Sequence, residues 1–271
     1  MNYCLDGKNR VNLSFNIKRM GNLDIKAFYE KKFNFDNQIK TVYSGWLVNF
    51  TKAIKARAVD GCFMGLSSGY DSGAISKELL KQGIKFKAYT IFNNENKEVL
   101  EARLKYIPDY QIASMDKALW QKYYDFLKGK INAKALKDKA SMGVAYMFET
   151  AKAEGRTICI SGQGGDEIIS DYALFPGQSE FKGKFPDKLY EWKNFRHGMQ
   201  EEYLAELEEI AAIYGIEVRY PFLDTELVQE YLYLTAELKN RNYKAPLYEY
   251  LTQNNVPFDK GVKKGFRPAA L

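Results

Sequence analysis

Apolar side chains recur at helical spacing through residues 37–58, where Ile39, Val42, Tyr43, Trp46, Leu47, Phe50 and Ile54 predict one amphipathic helix. Ahead of it, VNLSFNI (11–17) alternates as a short strand does. After Gly61 the pattern changes to a short apolar run over 62–66, which reads as a buried strand, followed by a helix over 71–82 closed by Gly83. FKAYTIF (86–92) is a strand rich in aromatic and β-branched residues, 95–106 is helical, and 109–113 is a short strand. Helices over 117–128 and 139–154 lead to a further buried strand, TICI (157–160). From about Phe181 onward the pattern is helical with aromatic-rich connections.

Strands alternating with helices in this way predict an α/β fold, a parallel sheet with helices on both faces. Ligands of such sheets sit beyond the carboxyl ends of the strands. Two strand ends carry the most unusual residues in the chain: SSGYDS (67–72) after the first strand and SGQGGDE (161–167) after the later one. The expected division is 1–60, a strand and helices packed on the main domain, and 61–271, the main domain with a helical C-terminal part.

The bulk numbers narrow the setting. At 271 residues and 46% hydrophobic, with 17 Phe, 20 Tyr and 3 Trp, the chain can bury a substantial core. No run approaches the length of a membrane span, and the first residues lack the apolar stretch of a signal peptide. Of the three cysteines, Cys62 and Cys159 lie in strand-like apolar runs, which reads as buried thiols in a cytoplasmic protein. The net charge of +6 comes from 40 basic and 34 acidic residues, too balanced for a nucleic-acid binder. The imbalance is local: Lys239, Arg241, Lys244, Lys260, Lys263, Lys264 and Arg267 face only Glu249 and Asp259. Composition alone leaves open a solvated basic tail or a lid over a polyanion.

The first strand end has the ingredients of a phosphate cradle. Backbone amides are unpaired at a strand-to-helix turn, and the helix start adds partial positive charge. Gly69 permits close backbone approach, while Ser67, Ser68 and Ser72 supply donors. Asp71 makes sense there as a ligand of Mg²⁺ bridging to phosphates. The second strand end follows three glycines, Gly162, Gly164 and Gly165, with Asp166 and Glu167; close approach to a ligand accounts for the glycines, and Asp166 would share the metal with Asp71.

SSGYDS resembles the SGGxDS pyrophosphate loop of the N-type ATP pyrophosphatases. SGQGGDEIISDY (161–172) resembles the SGEGxDExxxGY motif of the asparagine synthetase family, GIEVRYPFLD (215–224) its ExRxPFLD, and VKKGFRP (262–268) its RxKxGFxxP. Four motifs in the family's order over about 200 residues identify a resemblance to the synthetase domain alone, without the glutaminase half. The resemblance implies an adenine nucleotide alpha-hydrolase-like fold. It implies an ATP-dependent ligase that adenylates a carboxylate, releasing pyrophosphate, for attack by ammonia or an amine, with a separate glutaminase subunit as a possible partner. Ser67, Ser68, Gly69, Asp71 and Ser72 would hold the phosphates; Leu66, Ile91, Ser161 and Gly162 would surround the adenosine; Asp71 and Asp166 would hold Mg²⁺. Lys263, with Lys264 as its competitor, would be the catalytic lid lysine, Asp166 a second catalytic residue, and Gln163 and Glu167 would face the acceptor.

The chain departs from the family pattern at Ser68 for glycine, Gln163 for glutamate, Gly261 for the lid arginine, and Asp171 for the glycine of Gly-Tyr. A nucleotide- or tRNA-modifying ATP pyrophosphatase is the alternative enzyme, and a degenerate, non-catalytic binding subunit the alternative outside catalysis. His197, the only histidine, has no partner in sequence for a metal and reads as a surface or loop residue. Glu217, Arg219 and Asp224 read equally as ligand contacts or as a structural ion-pair network. The lysine–aromatic mixture of 181–195 reads as amphipathic packing.

Overall fold

The computed structural model describes residues 21–92, 95–173, 175 and 177–261. The strand expected over 11–17 and the lid residues Lys263 and Lys264 lie outside them.

Five strands form one parallel sheet: β1 (Cys62–Gly65), β2 (Phe86–Ile91), β3 (Tyr110–Ala113), β4 (Ile158–Ile160) and β5 (Glu217–Arg219), in the order β3-β2-β1-β4-β5. The register pairs Cys62 with Phe86, Phe63 with Cys159, Ala88 with Tyr110 and Ile158 with Glu217. β1 and β2 are buried almost throughout, which is why they read as continuous apolar runs, whereas edge strand β3 alternates between exposed and half-buried. Cys62 and Cys159 are both buried free thiols, pushed up in pKa by burial. The chain reverses its direction of winding between β1 and β4, so the crevice where a ligand is expected opens at their carboxyl ends.

The helices precede and join these strands. They are α1 (Leu23–Glu30), α2 (Ser44–Arg57), α3 (Tyr70–Lys81), α4 (Lys97–Leu104), α5 (Lys117–Leu127), α6 (Ala133–Lys137) and α7 (Ala140–Ala153). After β4 come α8 (Gly165–Ile169), α9 (Lys193–Arg196), α10 (Met199–Tyr214), α11 (Thr225–Leu232), α12 (Ala236–Asn240) and α13 (Ala245–Gln253). One hydrophobic cluster runs from Ile25 on α1 to Val256 beyond α13. Phe50 of α2 stacks on Trp46 at 5.4 Å and on Phe222 at 5.6 Å, and meets Tyr250 edge-on. The aromatics of 181–195 pack together, Phe181, Phe185 and Phe195 all against Trp192, as amphipathic packing predicts.

Two expectations change. The helix expected over 37–58 starts only at Ser44, leaving Ile39 and Val42 76% and 59% exposed. The cause is tertiary: Lys40 is extended and exchanges backbone hydrogen bonds with Tyr233 and Thr235, so it is not available to a helix. The region after Phe181 is not wholly helical, because Glu217–Arg219 adds β5 to the sheet. Three residues with a charge at each end carry too little pattern to announce a strand; pairing with β4 makes one.

Between α7 and α10, Ser141 donates a 2.6 Å hydrogen bond to the buried carboxyl of Glu206. Burial, reinforced by Asp138, pushes the Glu206 pKa up from 4.5 to about 8. The folded state therefore holds a proton that the unfolded chain releases across that interval, and stability falls as pH rises through it. Glu206→Gln should keep the contact without the titration. Urea unfolding at pH 5.5 and 8.5 should show a smaller loss of stability with pH in the variant than in the wild type, and a variant more stable than wild type at pH 8.5.

Candidate functional site

The two unusual loops meet where β1 and β4 lie side by side. Leu66–Gly69 leads from β1 into α3, and Ser161–Gly164 leads from β4 into α8. Asp71, in the first turn of α3, and Asp166, in the first turn of α8, direct their carboxylates at the same ammonium, that of Lys244. Lys244 Nζ lies 2.5 Å from Asp71 Oδ2 and 3.0 Å from Asp166 Oδ1, and the lysine side chain is 2% exposed. Burial by itself would depress this lysine; Asp166 and Asp71 outweigh it and hold the pKa well above the ordinary value. Tyr243 donates a further hydrogen bond to Asp166 Oδ1 at 3.1 Å.

Lys244 reaches this position from a strained backbone. It caps the N-terminus of α13 in the left-handed region (φ 48°), with Pro246 in the first turn behind it. In sequence it was one of seven basic residues near the C-terminus. Only the fold separates it from the others by burying it between two carboxylates.

The glycines of the second loop have a specific use. A Cβ on Gly165 would sit 2.4 Å from Asp71 Oδ1, and one on Gly162 3.1 Å from Asp71 Cβ. Gly164 has φ +92°, and a Cβ there would meet Leu223 at 2.6 Å. In the structure these glycines admit Asp71 and the PFLD segment as close neighbours.

The hydroxyls of the first loop are engaged within the protein. Ser67 Oγ and Ser72 Oγ are 2.8 Å apart, and Ser67 Oγ accepts from the Gly69 amide. Ser68 donates through both its amide and its hydroxyl to Glu95 Oε2, each at 2.5 Å, and its hydroxyl accepts from the Asn96 amide. Glu95 thus brings a carboxylate to an amide of the loop expected to bind phosphate. Ser68 is outside the left-handed region, so a side chain in place of the family's glycine is tolerated by the backbone.

The expected adenosine residues line the carboxyl ends of three neighbouring strands. Leu66 and Ile91 are buried beyond β1 and at the end of β2, while Ser161 and Gly162 are half-buried beyond β4. Gln163 is half-buried, its amide donating to Ser161 Oγ. Glu167 is turned inward: it is 1% exposed, accepts from the Gly164 amide and the Tyr172 hydroxyl, and so holds the loop's shape at the position expected to face an acceptor. Asp171 sits at φ 44° and accepts from Ser179, Phe181 and Asn194. A glycine is the usual solution at such a φ; aspartate is tolerated there better than most residues, and its bonds fix it.

The ExRxPFLD-like segment is structural. Arg57 bridges Asp24 at 2.9 Å and Asp224 at 2.8 Å, Asp224 also caps α11, and Arg219 Nη1 donates to the Arg57 carbonyl while its Nε pairs with exposed Glu217. His197 is exposed and pairs with Glu201. A groove lined by Asp60, Lys85, Asp109 and Arg156 lies at the opposite, amino-terminal edge of the sheet, away from both motifs.

Asp71 and Asp166 offer hard oxygen donors suited to Mg²⁺. Among the described residues no group of three or more His, Cys, Asp or Glu gathers to cage a metal.

The arrangement is that of a parallel α/β sheet with a charged crevice at its switch point. The chain is similar to asparagine synthetases. It is 26% identical over 229 residues to the glutamine-hydrolyzing asparagine synthetase of Rattus norvegicus, covering 74% of this chain and 38% of that one. It is 27% identical over 206 residues to a putative asparagine synthetase of Methanocaldococcus jannaschii, covering 70% and 36%. For the Homo sapiens enzyme the figures are 25% over 249 residues, 81% and 41%. The chain thus spans about two-fifths of the length of these relatives. A solved NMN synthetase from Francisella tularensis covers 82% of this chain and 99% of its own at 14% identity, but a TM-score of 0.36 is too low to carry an argument. No family model matches the chain.

Removing the ammonium would leave two carboxylates, each only about one-fifth exposed, without the cation they share. Lys244→Met should destabilise the protein by ~3–5 kcal/mol in urea unfolding, and adding Asp71→Asn to it should recover part of that loss.

Proposed function

We propose that the chain is an ATP-dependent, AMP-forming carbon–nitrogen ligase of the asparagine synthetase type. The observation that carries this reading is the convergence of Asp71 and Asp166, from the two motif loops, on buried Lys244 at the sheet's switch point. Similarity to asparagine synthetases over most of the chain supports it.

On this reading the β- and γ-phosphates of ATP lie on the Ser67–Ser72 loop and the start of α3, where amides and helix charge favour an anion. Adenosine lies against Leu66, Ile91, Ser161 and Gly162. Asp71 and Asp166 would hold Mg²⁺, which when bound offsets phosphate charge. Lys244 keeps both carboxylates in place and adds fixed positive charge beside them. An oxygen of the acceptor carboxylate attacks the α-phosphorus, the bond to the β-phosphate breaks, and pyrophosphate leaves. A nitrogen nucleophile then attacks the acyl carbon, loses a proton and expels AMP. Lys263 would stabilise charge on the α-phosphate and acyl centre, where a preorganised ammonium acts without reorganisation.

The acceptor differs from that of the relatives. Gln163 stands where SGEG carries glutamate; an amide neither takes a proton from an amine nor pairs with a substrate ammonium. A carboxylate on a larger molecule without a free ammonium, such as a sugar acid, suits the site better than aspartate. The nitrogen donor is ammonia or an amine, free or delivered by a separate glutaminase subunit.

Carboxylate-dependent ATP–pyrophosphate exchange tests the first step. AMP and pyrophosphate are the expected products; ADP and phosphate would refute the mechanism. Asp71→Asn and Asp166→Asn should abolish exchange, and Lys263→Met should lower it by about 10²–10³-fold. In a pyrophosphate-release screen, wild type should prefer sugar acids or amine-blocked amino acids, with Gln163→Glu shifting preference toward aspartate. Aspartate with ammonium as the best wild-type pair would overturn the assignment of the acceptor.

A further inference from the structure

Arg103, near the end of α4, is 3% exposed, and its guanidinium bonds three backbone carbonyls. Nη1 donates to Ser67 O at 2.5 Å and Gly69 O at 2.8 Å; Nε and Nη2 donate to Pro257 O at 2.9 and 2.7 Å. A Cβ on Gly73 would sit 2.6 Å from the guanidinium carbon, so the absence of a side chain there makes the space this group fills. Burial draws the Arg103 pKa down to about 10, which leaves it charged at neutral pH.

The direction of these bonds matters. In a planar trans peptide the carbonyl and the following N–H point opposite ways. Carbonyls 67 and 69 drawn toward Arg103 therefore turn the amides of Ser68 and Tyr70 away from it. At Ser68 that outward amide already meets an anion, the Glu95 carboxylate. The same guanidinium grips Pro257, and the chain just beyond it is attached to the same region. Phe258 packs edge-on to Tyr70, Asp259 accepts two hydrogen bonds from Asn96, and the Gly261 amide donates to the Tyr70 hydroxyl at 2.9 Å. Two residues past Gly261 in sequence is Lys263.

We propose that Arg103 is the positioning residue of the phosphate loop, turning the amides of Ser68 and Tyr70 toward a bound anion and making the loop and the 257–261 segment one mechanical unit. The anion's identity as the pyrophosphate portion of ATP rests on the function proposed above; the coupling of the two segments does not. Lysine cannot replace the arginine, because a point charge lacks the planar fork that holds carbonyls from two segments at once.

Two measurements decide it. In the ligand-free protein, hydrogen exchange should accelerate in both 67–70 and 256–261 in Arg103→Lys, and to a lesser degree in Gly73→Ala, which keeps the arginine but crowds it. Calorimetry with inorganic pyrophosphate should show affinity lowered by about 10–100-fold in Arg103→Lys. Low guanidinium concentrations should restore affinity to Arg103→Ala, a response that a general loss of stability does not give. Gly73→Ala added to Arg103→Ala should cost no further affinity, since both act on one contact. Wild-type exchange rates at 256–261 in a folded Arg103→Lys protein, or pyrophosphate affinity within twofold of wild type, would overturn the proposal. If wild type itself binds neither pyrophosphate nor ATP, the proposed function and the anion role fall together, and the exchange data still decide the coupling.

Discussion

The site depends on one buried ammonium. Lys244 lies between Asp71 and Asp166, and each of those carboxylates opens a helix that follows a different strand. Without a cation between them the loops after β1 and β4 would bring two partly buried like charges together. With it, the two loops attract. The attraction is strong because the lysine is almost fully buried, and the cost of burying the lysine is offset because it has two partners.

Other features of the crevice serve that contact. Gly165 and Gly162 leave room for Asp71, Tyr243 steadies Asp166, and Glu167 fixes the turn from beneath by bonding the Gly164 amide. Leu223 of the PFLD segment fills the space beside Gly164, and Phe222 next to it stacks on Phe50 of α2. An ion-pair chain through Asp24, Arg57 and Asp224 then ties α1, α2 and α11 together beneath the sheet's β5 edge. The motif segment after β5 is thereby a support for the second loop rather than a part of the crevice surface.

The departures from the family pattern have distinct physical standing. Ser68 is accommodated by an ordinary backbone and joins a network with Glu95 and Asn96. Asp171 occupies a left-handed position and uses its carboxylate to organise the following loop. Gln163 is different in kind, since its half-buried side chain changes the charge of the crevice without a structural reason for doing so.

The sequence by itself determined the parallel α/β plan, the strands β1 to β4, and the two loops at neighbouring strand ends, because buried strands and amphipathic helices write their periods locally. It also marked Asp71, Asp166 and the glycines near them, since carboxylates and repeated glycine at strand exits are rare. The start of α2 and the existence of β5 were decided by pairing with distant segments, Lys40 with Tyr233 and Thr235, and Glu217–Arg219 with β4. Lys244, Arg103 and Glu95 were decided the same way. A lysine among seven basic residues, an arginine on a helix and a glutamate in a loop look like solvated charges until the fold buries or pairs them. Burial is a property of the whole chain, and it is burial that turned those charges into the parts that hold the site together.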